Sequence, residues 1–292
     1  MQFKMQLQLP HPMTVFALVI GGIHPLSLVR SHLHLIDRNV LSKLRSNQQQ
    51  LCAADQFWLG GLDHQDILIN PVLCAFEGKF RQTPTFTDFS DELVSARKKL
   101  VELLPNARVV EHSSASHLQL YQNIKDTNQR YEQEVEFLLQ TAPLVFQREK
   151  DEKLSSLQST IVGSAKHFGI AGRSLSLLAV LSCLYERKDG SEPAPGRLVI
   201  KPRPDYGEQD AHNSISDLRS LEFLVAGAAY GFGPTALCTK DRGLALFWQA
   251  LKLHTANGEA NSVSYKYTLT TELLPRLPDN KLEQLAQEIS AD

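Results

Sequence analysis

The chain has 292 residues, 42% of them hydrophobic, enough to bury a sizeable core as one large domain or two modest ones. A formal net charge of −2 excludes overall attraction to nucleic acid or to an anionic membrane, so any such contact must come from a local basic patch. The four cysteines, Cys52, Cys74, Cys183 and Cys238, lie in apolar neighbourhoods without CxxC or zinc-ligand spacing, which excludes a zinc framework and reads as reduced core thiols.

The apolar run Val15 to Ile20 falls short of the ~20 residues that span a bilayer and is followed by Gly21-Gly22 and His24-Pro25 where a leader would carry a cleavage site. It is expected to be a buried strand of a cytoplasmic protein with no membrane association. Thr14 to Gly21 and Leu33 to Ile36 are the first two strand candidates. The apolar period changes at Asp37, because Val40, Leu41 and Leu44 recur at helical spacing. A carboxylate there is either the N-cap of the helix or a group at the carboxyl end of a strand, the edge at which open α/β sheets bind ligands. Helices are expected over Asn39 to Gln50, over Gln50 to Leu59 before Gly60-Gly61, and from Asp63 to about Phe80, with Pro71 kinking the third. Glu77, on the apolar face of that third helix, either points to water or is paired with a cation, since burying an unpaired acid is costly.

From Phe86 to about Glu186 the pattern is almost wholly helical. Segments at Asp88 to Leu104, Leu118 to Leu139, Leu154 to Phe168 and Ser174 to Tyr185 are separated by one candidate strand, Ala107 to Val110. The last helix is nearly all apolar and should be packed on both sides. Turn residues at 188 to 196 end this section. Arg197 to Lys201 reads as a strand, Pro202 to Asp210 as a loop, and a helix from Asn213 places Asp217 in its early turns, where the helix dipole favours a carboxylate. Pro234 to Thr239 is then a short strand ending in Lys240-Asp241-Arg242-Gly243. The alternating Ser262 to Thr270 reads as an edge or hairpin strand, and a final helix runs from Asp279 to about Ile289.

Asp37 after a strand, Glu77 on a helix, Asp217 early in a helix and Asp241 after a strand stand in an order that resembles the PIN-domain family of metal-dependent nucleases. Asp37 with Asn39 looks like the family's Asp-x-Asn, and Thr239 to Gly243 matches its Thr-x-Asp-x-Gly. The resemblance implies an α/β fold with a Rossmann-like parallel sheet of PIN type. It implies one domain over 1–292, with a large helical insertion at about 85–190 and a C-terminal strand-helix extension at about 255–292. It also implies that Asp37, Glu77, Asp217 and Asp241 hold Mg²⁺ or Mn²⁺ at the sheet's carboxyl edge, with Asn39 and Thr239 fixing the carboxylates from behind. Glu222 or Asp210 could take the place of Asp217 as third acid.

Hard divalent cations prefer oxygen ligands and, placed against a phosphodiester, acidify water and stabilise the developing charge. The activity expected is nuclease cleavage, of RNA ahead of DNA, in the setting of a prokaryotic toxin or antiviral defence effector. Arg38, Lys240 and Arg242 flank the two strand-end acids as candidate phosphate contacts, joined by Lys201 and Arg203 before Asp217 and by the basic residues of the helical insertion. The competing expectation is a non-catalytic PIN-like scaffold that binds a protein partner through the insertion, with the acids as caps and surface charge. A protein inhibitor and self-association are left open. No P-loop, Gly-x-Gly-x-x-Gly or Gly-x-Ser-x-Gly is present, and His32 and His34, alternating on one strand, lack an identifiable third ligand.

Overall fold

A computed structural model describes residues 9–46, 50–76, 84–170, 172, 174–229, 233–259 and 262–289. Its centre is a mixed six-stranded sheet of β1 (Phe16–Val19), β2 (Gly22–His24), β3 (Leu33–Ile36), β4 (Leu68–Asn70), β5 (Arg108–Val109) and β6 (Thr235–Thr239), in the order β2-β1-β6-β3-β4-β5. The run β6-β3-β4-β5 is parallel. β1 pairs antiparallel with both β6 and β2. The expected all-parallel sheet is therefore corrected at one edge. Gly21 and Gly22, at φ +93° and +153°, turn the chain tightly back from β1 into β2, so no crossover helix intervenes.

Side-chain alternation divides the interior between the two faces of the sheet. Leu18, Leu35 and Leu237 enter one core, whereas Ala17, Val19, Ile36, Ala236 and Cys238 enter the other. The second core is covered by α1 (Arg38–Leu44) and α2 (Ala53–Gly60), through Val40, Leu41, Trp58 and Leu59. The first is covered by α10 (Glu208–Ala229) and α11 (Arg242–Ala250), the latter burying Leu244, Phe247 and Trp248. Burying each such large side chain is worth about 1.5–3 kcal/mol. Trp248 also donates its Nε1–H to Val19 O at 2.8 Å, which ties α11 to β1.

Several expected elements take another form. The helix expected from Asp63 is instead β4 followed by a short α3 (Val72–Phe76). Pro71 removes a donor, the Asn70 side chain accepts from Val72 N at 3.0 Å, and the Asp63 carboxylate holds the turn at Asn106, whose backbone N–H it accepts at 2.7 Å. The helical stretch appears as α4 (Phe86–Leu103), α5 (Ser114–Asp126), α6 (Asn128–Thr141), α7 (Asp151–His167) and α8 (Leu175–Leu184), so the expected Leu118–Leu139 helix is broken near Thr127. Every residue of α8 is buried. The strand expected at Arg197 to Lys201 is a helix, α9 (Pro195–Ile200): Pro195 starts it, Lys201 at φ 54° stops it, and Arg197 pairs with the buried Glu186 at 2.7 Å. Cys52 is exposed at the N-cap of α2, so only Cys74, Cys183 and Cys238 are core thiols. Beyond α11 a hairpin, β7 (Leu253–Glu259) with β8 (Ser262–Tyr267), precedes α12 (Asp279–Glu288). Among the described residues no helix is long and apolar enough to cross a membrane.

Candidate functional site

β3 and β6 are parallel neighbours, with Ile36 opposite Cys238, so Asp37 and Asp241 emerge on the same rim although they lie far apart in sequence. From that rim the chain leaves β3 into α1 on one face of the sheet and leaves β6 into α11 on the other. Divergence of this kind opens a crevice at the carboxyl ends of the strands. An open cleft of about 420 Å³ lies there, lined by Asn39, Ser42, Lys43 and Ser46 on one side and Lys240 and Asp241 on the other.

Asp37 is 5% exposed. Its Oδ1 accepts from Asn39 N at 2.7 Å and its Oδ2 from the Thr239 hydroxyl at 2.7 Å. Thr239 Oγ1 in turn accepts from Asp241 N at 3.0 Å, and Asp241 Oδ1 caps α11 by accepting from Leu244 N at 2.8 Å. Both acids are therefore helix caps and at the same time share a rim. Burial pushes the Asp37 carboxyl above its ordinary range; the bonds from Thr239 and Asn39 pull it back, and the Asp241 charge adds to the upward push. Gly243, the last residue of the Thr-x-Asp-x-Gly match, has a packing reason. A Cβ there would stand 2.8 Å from Leu198 Cβ and 2.9 Å from Leu198 O of α9.

Next to the rim, His34 is fully buried, with Nε2 2.9 Å from Val29 O and Nδ1 3.2 Å from Cys238 Sγ. A carbonyl can only accept, so Nε2 carries the proton and Nδ1 receives the Cys238 S–H. Burial lowers the His34 pKa to about 4 and pushes the Cys238 thiol up to about 12, so both are neutral near pH 7. His34 is thus an internal strut of the sheet.

The remaining expected site residues are placed differently. Glu77 lies outside the described residues. Asp217 is not in the early turns of its helix, because α10 begins at Glu208; it is half-buried near the helix middle, beyond the reach of the terminal dipole. The described residues form no group of three or more His, Cys, Asp or Glu side chains able to hold a metal, so Asp217 is not gathered with Asp37 and Asp241. Its alternates are engaged elsewhere. Asp210 accepts from Gly207 N at 3.0 Å and pairs with Arg203 at 2.7 Å, and Glu222 pairs with Arg130 of α6. Arg38 turns away from the cleft, donating to Cys74 O at 2.9 Å and pairing with Glu92 at 3.3 Å, which ties α1 to α3 and α4. Arg242 is exposed in the first turn of α11. Lys240 faces the cleft but is also bound to Asp55 of α2, a buried acid that sequence reasoning missed, as it missed Lys43, the second cation of the cleft. Asp55 reads in the sequence as an ordinary first-turn acid, and only the fold brings it to two lysines.

Comparison with protein-family models, with curated proteins and with solved structures found no match.

Proposed function

We propose that the protein is a nuclease that hydrolyses phosphodiester bonds with Mg²⁺ or Mn²⁺, RNA ahead of DNA. The observation that carries the proposal is the juxtaposition of Asp37 and Asp241 at the carboxyl ends of β3 and β6, linked through the Thr239 hydroxyl, with Asp241 lining the cleft there. A buried carboxylate beside a second acid is costly to ionise, and a cation relieves both the desolvation and the repulsion. Mg²⁺ is commonly held by one or two protein carboxylates while it keeps waters and takes substrate phosphate oxygens, so this pair fits its donor chemistry. Glu77, which the resemblance to PIN domains assigns to the same set, is the remaining candidate for completing it.

When bound, the cation would acidify a water and stabilise charge on the phosphate. The chain's own part is positional. Asp37 and Asp241 would hold the cation, Thr239 and Asn39 fix the Asp37 carboxylate through the bonds it accepts, and the cleft beside Asp241 would receive the substrate strand. Growth restriction or antiviral defence in a prokaryote is the context that the resemblance to PIN domains supplies.

The second reading, a scaffold that binds a protein partner through its helices, draws on the capping roles of the two acids. Asn caps helices as well as Asp does, so Asp37→Asn and Asp241→Asn keep the caps and remove the charges. Purified protein is incubated with mixed RNA and with single- and double-stranded DNA in Mn²⁺, Mg²⁺ or EDTA. The nuclease predicts cleavage that needs metal and disappears in both variants. Absence of cleavage of every substrate, together with no metal-induced thermal shift in the wild type, rejects it in favour of the scaffold.

A further inference from the structure

We propose that Lys43 and Lys240, held in place by Asp55, form a phosphate-binding wall in the cleft that Asp241 also lines. This deepens the nuclease assignment and rests on it for the substrate, but the wall itself binds phosphate without metal. Three elements that the sequence keeps apart meet here. Asp55 comes from the first turn of α2, Lys43 from the last turn of α1, and Lys240 from the step between β6 and α11. The Lys240 ammonium donates to Asp55 Oδ1, and Lys43 Nζ stands 3.6 Å from Asp55 Oδ2.

The burial gradient gives the arrangement its direction. The Asp55 side chain is 9% exposed, that of Lys240 21% and that of Lys43 38%, so the acid lies at the back and the cations face the opening. Burial alone would raise the Asp55 carboxyl, but the bond and charge of Lys240, with the charge of Lys43, hold it below its ordinary range and it stays ionised. One carboxylate against two ammonium groups leaves the cluster of three net positive, balanced, among the described residues lining the cleft, only by Asp241, and each ammonium carries three N–H donors, more than Asp55 can accept. Both lysines line the 420 Å³ cleft together with Asp241. The cleft thus brings two ammonium groups suited to a phosphoryl oxygen beside the Asp241 carboxylate. Asp55 serves as a positioning residue, keeping two flexible cations off the neighbouring acids and aimed into the opening.

The test is fluorescence anisotropy of the full chain with a labelled 12-nucleotide single-stranded RNA in EDTA, over a salt series, with inorganic pyrophosphate as a second probe read by thermal shift. Lys43→Gln and Lys240→Gln should each weaken RNA binding several-fold and flatten the log–log salt slope by about 0.7. Asp55→Asn makes the wall more positive, so a merely electrostatic patch would bind more tightly after the change, whereas a positioned pair binds several-fold more weakly. Circular dichroism checks the fold of Asp55→Asn, and the two lysine variants, which keep Asp55, test the wall independently of it. Pyrophosphate binding that depends on both lysines, with no RNA binding, keeps the phosphate site and assigns it to a free phosphorylated compound. Wild-type affinity and slope in both lysine variants overturn the proposal, even if metal-dependent cleavage is found. Lysine-dependent binding without any cleavage overturns the nuclease and leaves the wall standing.

Discussion

Thr239 and Asp37 are joined by a 2.7 Å hydrogen bond across the boundary between β6 and β3, and the same hydroxyl accepts the backbone N–H of Asp241 at 3.0 Å. One oxygen therefore sets the spacing of two acids contributed by distant parts of the chain. Thr239→Val keeps the shape and removes both bonds. It should cost about 1–2 kcal/mol in urea unfolding, because Asp37 is too buried to recover the bond from water. It should also weaken Mn²⁺ binding about 10- to 100-fold, read as a reduced metal-induced thermal shift. An unchanged shift would show that the Asp37–Thr239 bond has no part in holding the cation.

The capping roles can be separated from the charges. Asp241→Ala should destabilise by about 1 kcal/mol through loss of the bond to Leu244 N, and Asp241→Asn by much less, both without metal. With Mn²⁺ present, the two variants should be equally deficient in metal-induced stabilisation. Retention of that stabilisation in Asp241→Asn would remove Asp241 from the metal site.

Stability should respond to acid in two opposed ways. His34 has its folded pKa lowered to about 4, so its contribution is complete above about 6.5 and is lost as pH falls from there through about 4, on the order of 3 kcal/mol in all. Asp37 has its folded pKa raised, so its contribution is present below the ordinary carboxylate range and is lost as pH rises through the raised value. His34→Gln should abolish the loss between pH 6.5 and 4, and Asp37→Asn should steepen the net acid loss by removing the compensating group. Parallel pH–stability curves for wild type and His34→Gln would contradict the buried neutral imidazole.

Gly243→Ala introduces a methyl group 2.8 Å from Leu198 Cβ at the contact of α11 with α9. A destabilisation of about 1–3 kcal/mol is expected by differential scanning calorimetry, and Leu198→Ala should not recover it, because the clashing Cβ and carbonyl oxygen both remain. Equal stability of Gly243→Ala and wild type would mean that the two helices separate freely.

Much of the rim was legible in the sequence because its signals are local. The change of period at Asp37, the strand-acid-helix pattern at Asp241 and the hydroxyl two residues before it all survive into the structure. What escaped depends on tertiary contact. Arg38, read as a phosphate contact from its place beside Asp37, is drawn to Cys74 O and Glu92 because the sheet brings α3 and α4 alongside α1. Asp217 falls early in its helix when the charge-rich segment Pro202 to Asp210 is read as a loop, whereas Asp210 accepts the Gly207 N–H and starts α10 sooner. Leu68 to Asn70 has the apolar content of a helix and the flanking proline of a strand end, and pairing with β3 decides between them. The antiparallel β1 carried no signal of direction, since a four-residue buried strand has the same pattern either way.

The pairing of β3 with β6 has a consequence for synthesis. Residues 37 and 241 meet only after more than two hundred intervening residues have been made, so a ribosome-bound chain carries half of the rim for most of its elongation. Until β6 emerges, one edge of β3 is open and Asp37 lacks its threonine partner. Assembly of the acid pair is therefore a late event, and a chain interrupted anywhere between Asp37 and Asp241 holds one carboxylate of the two.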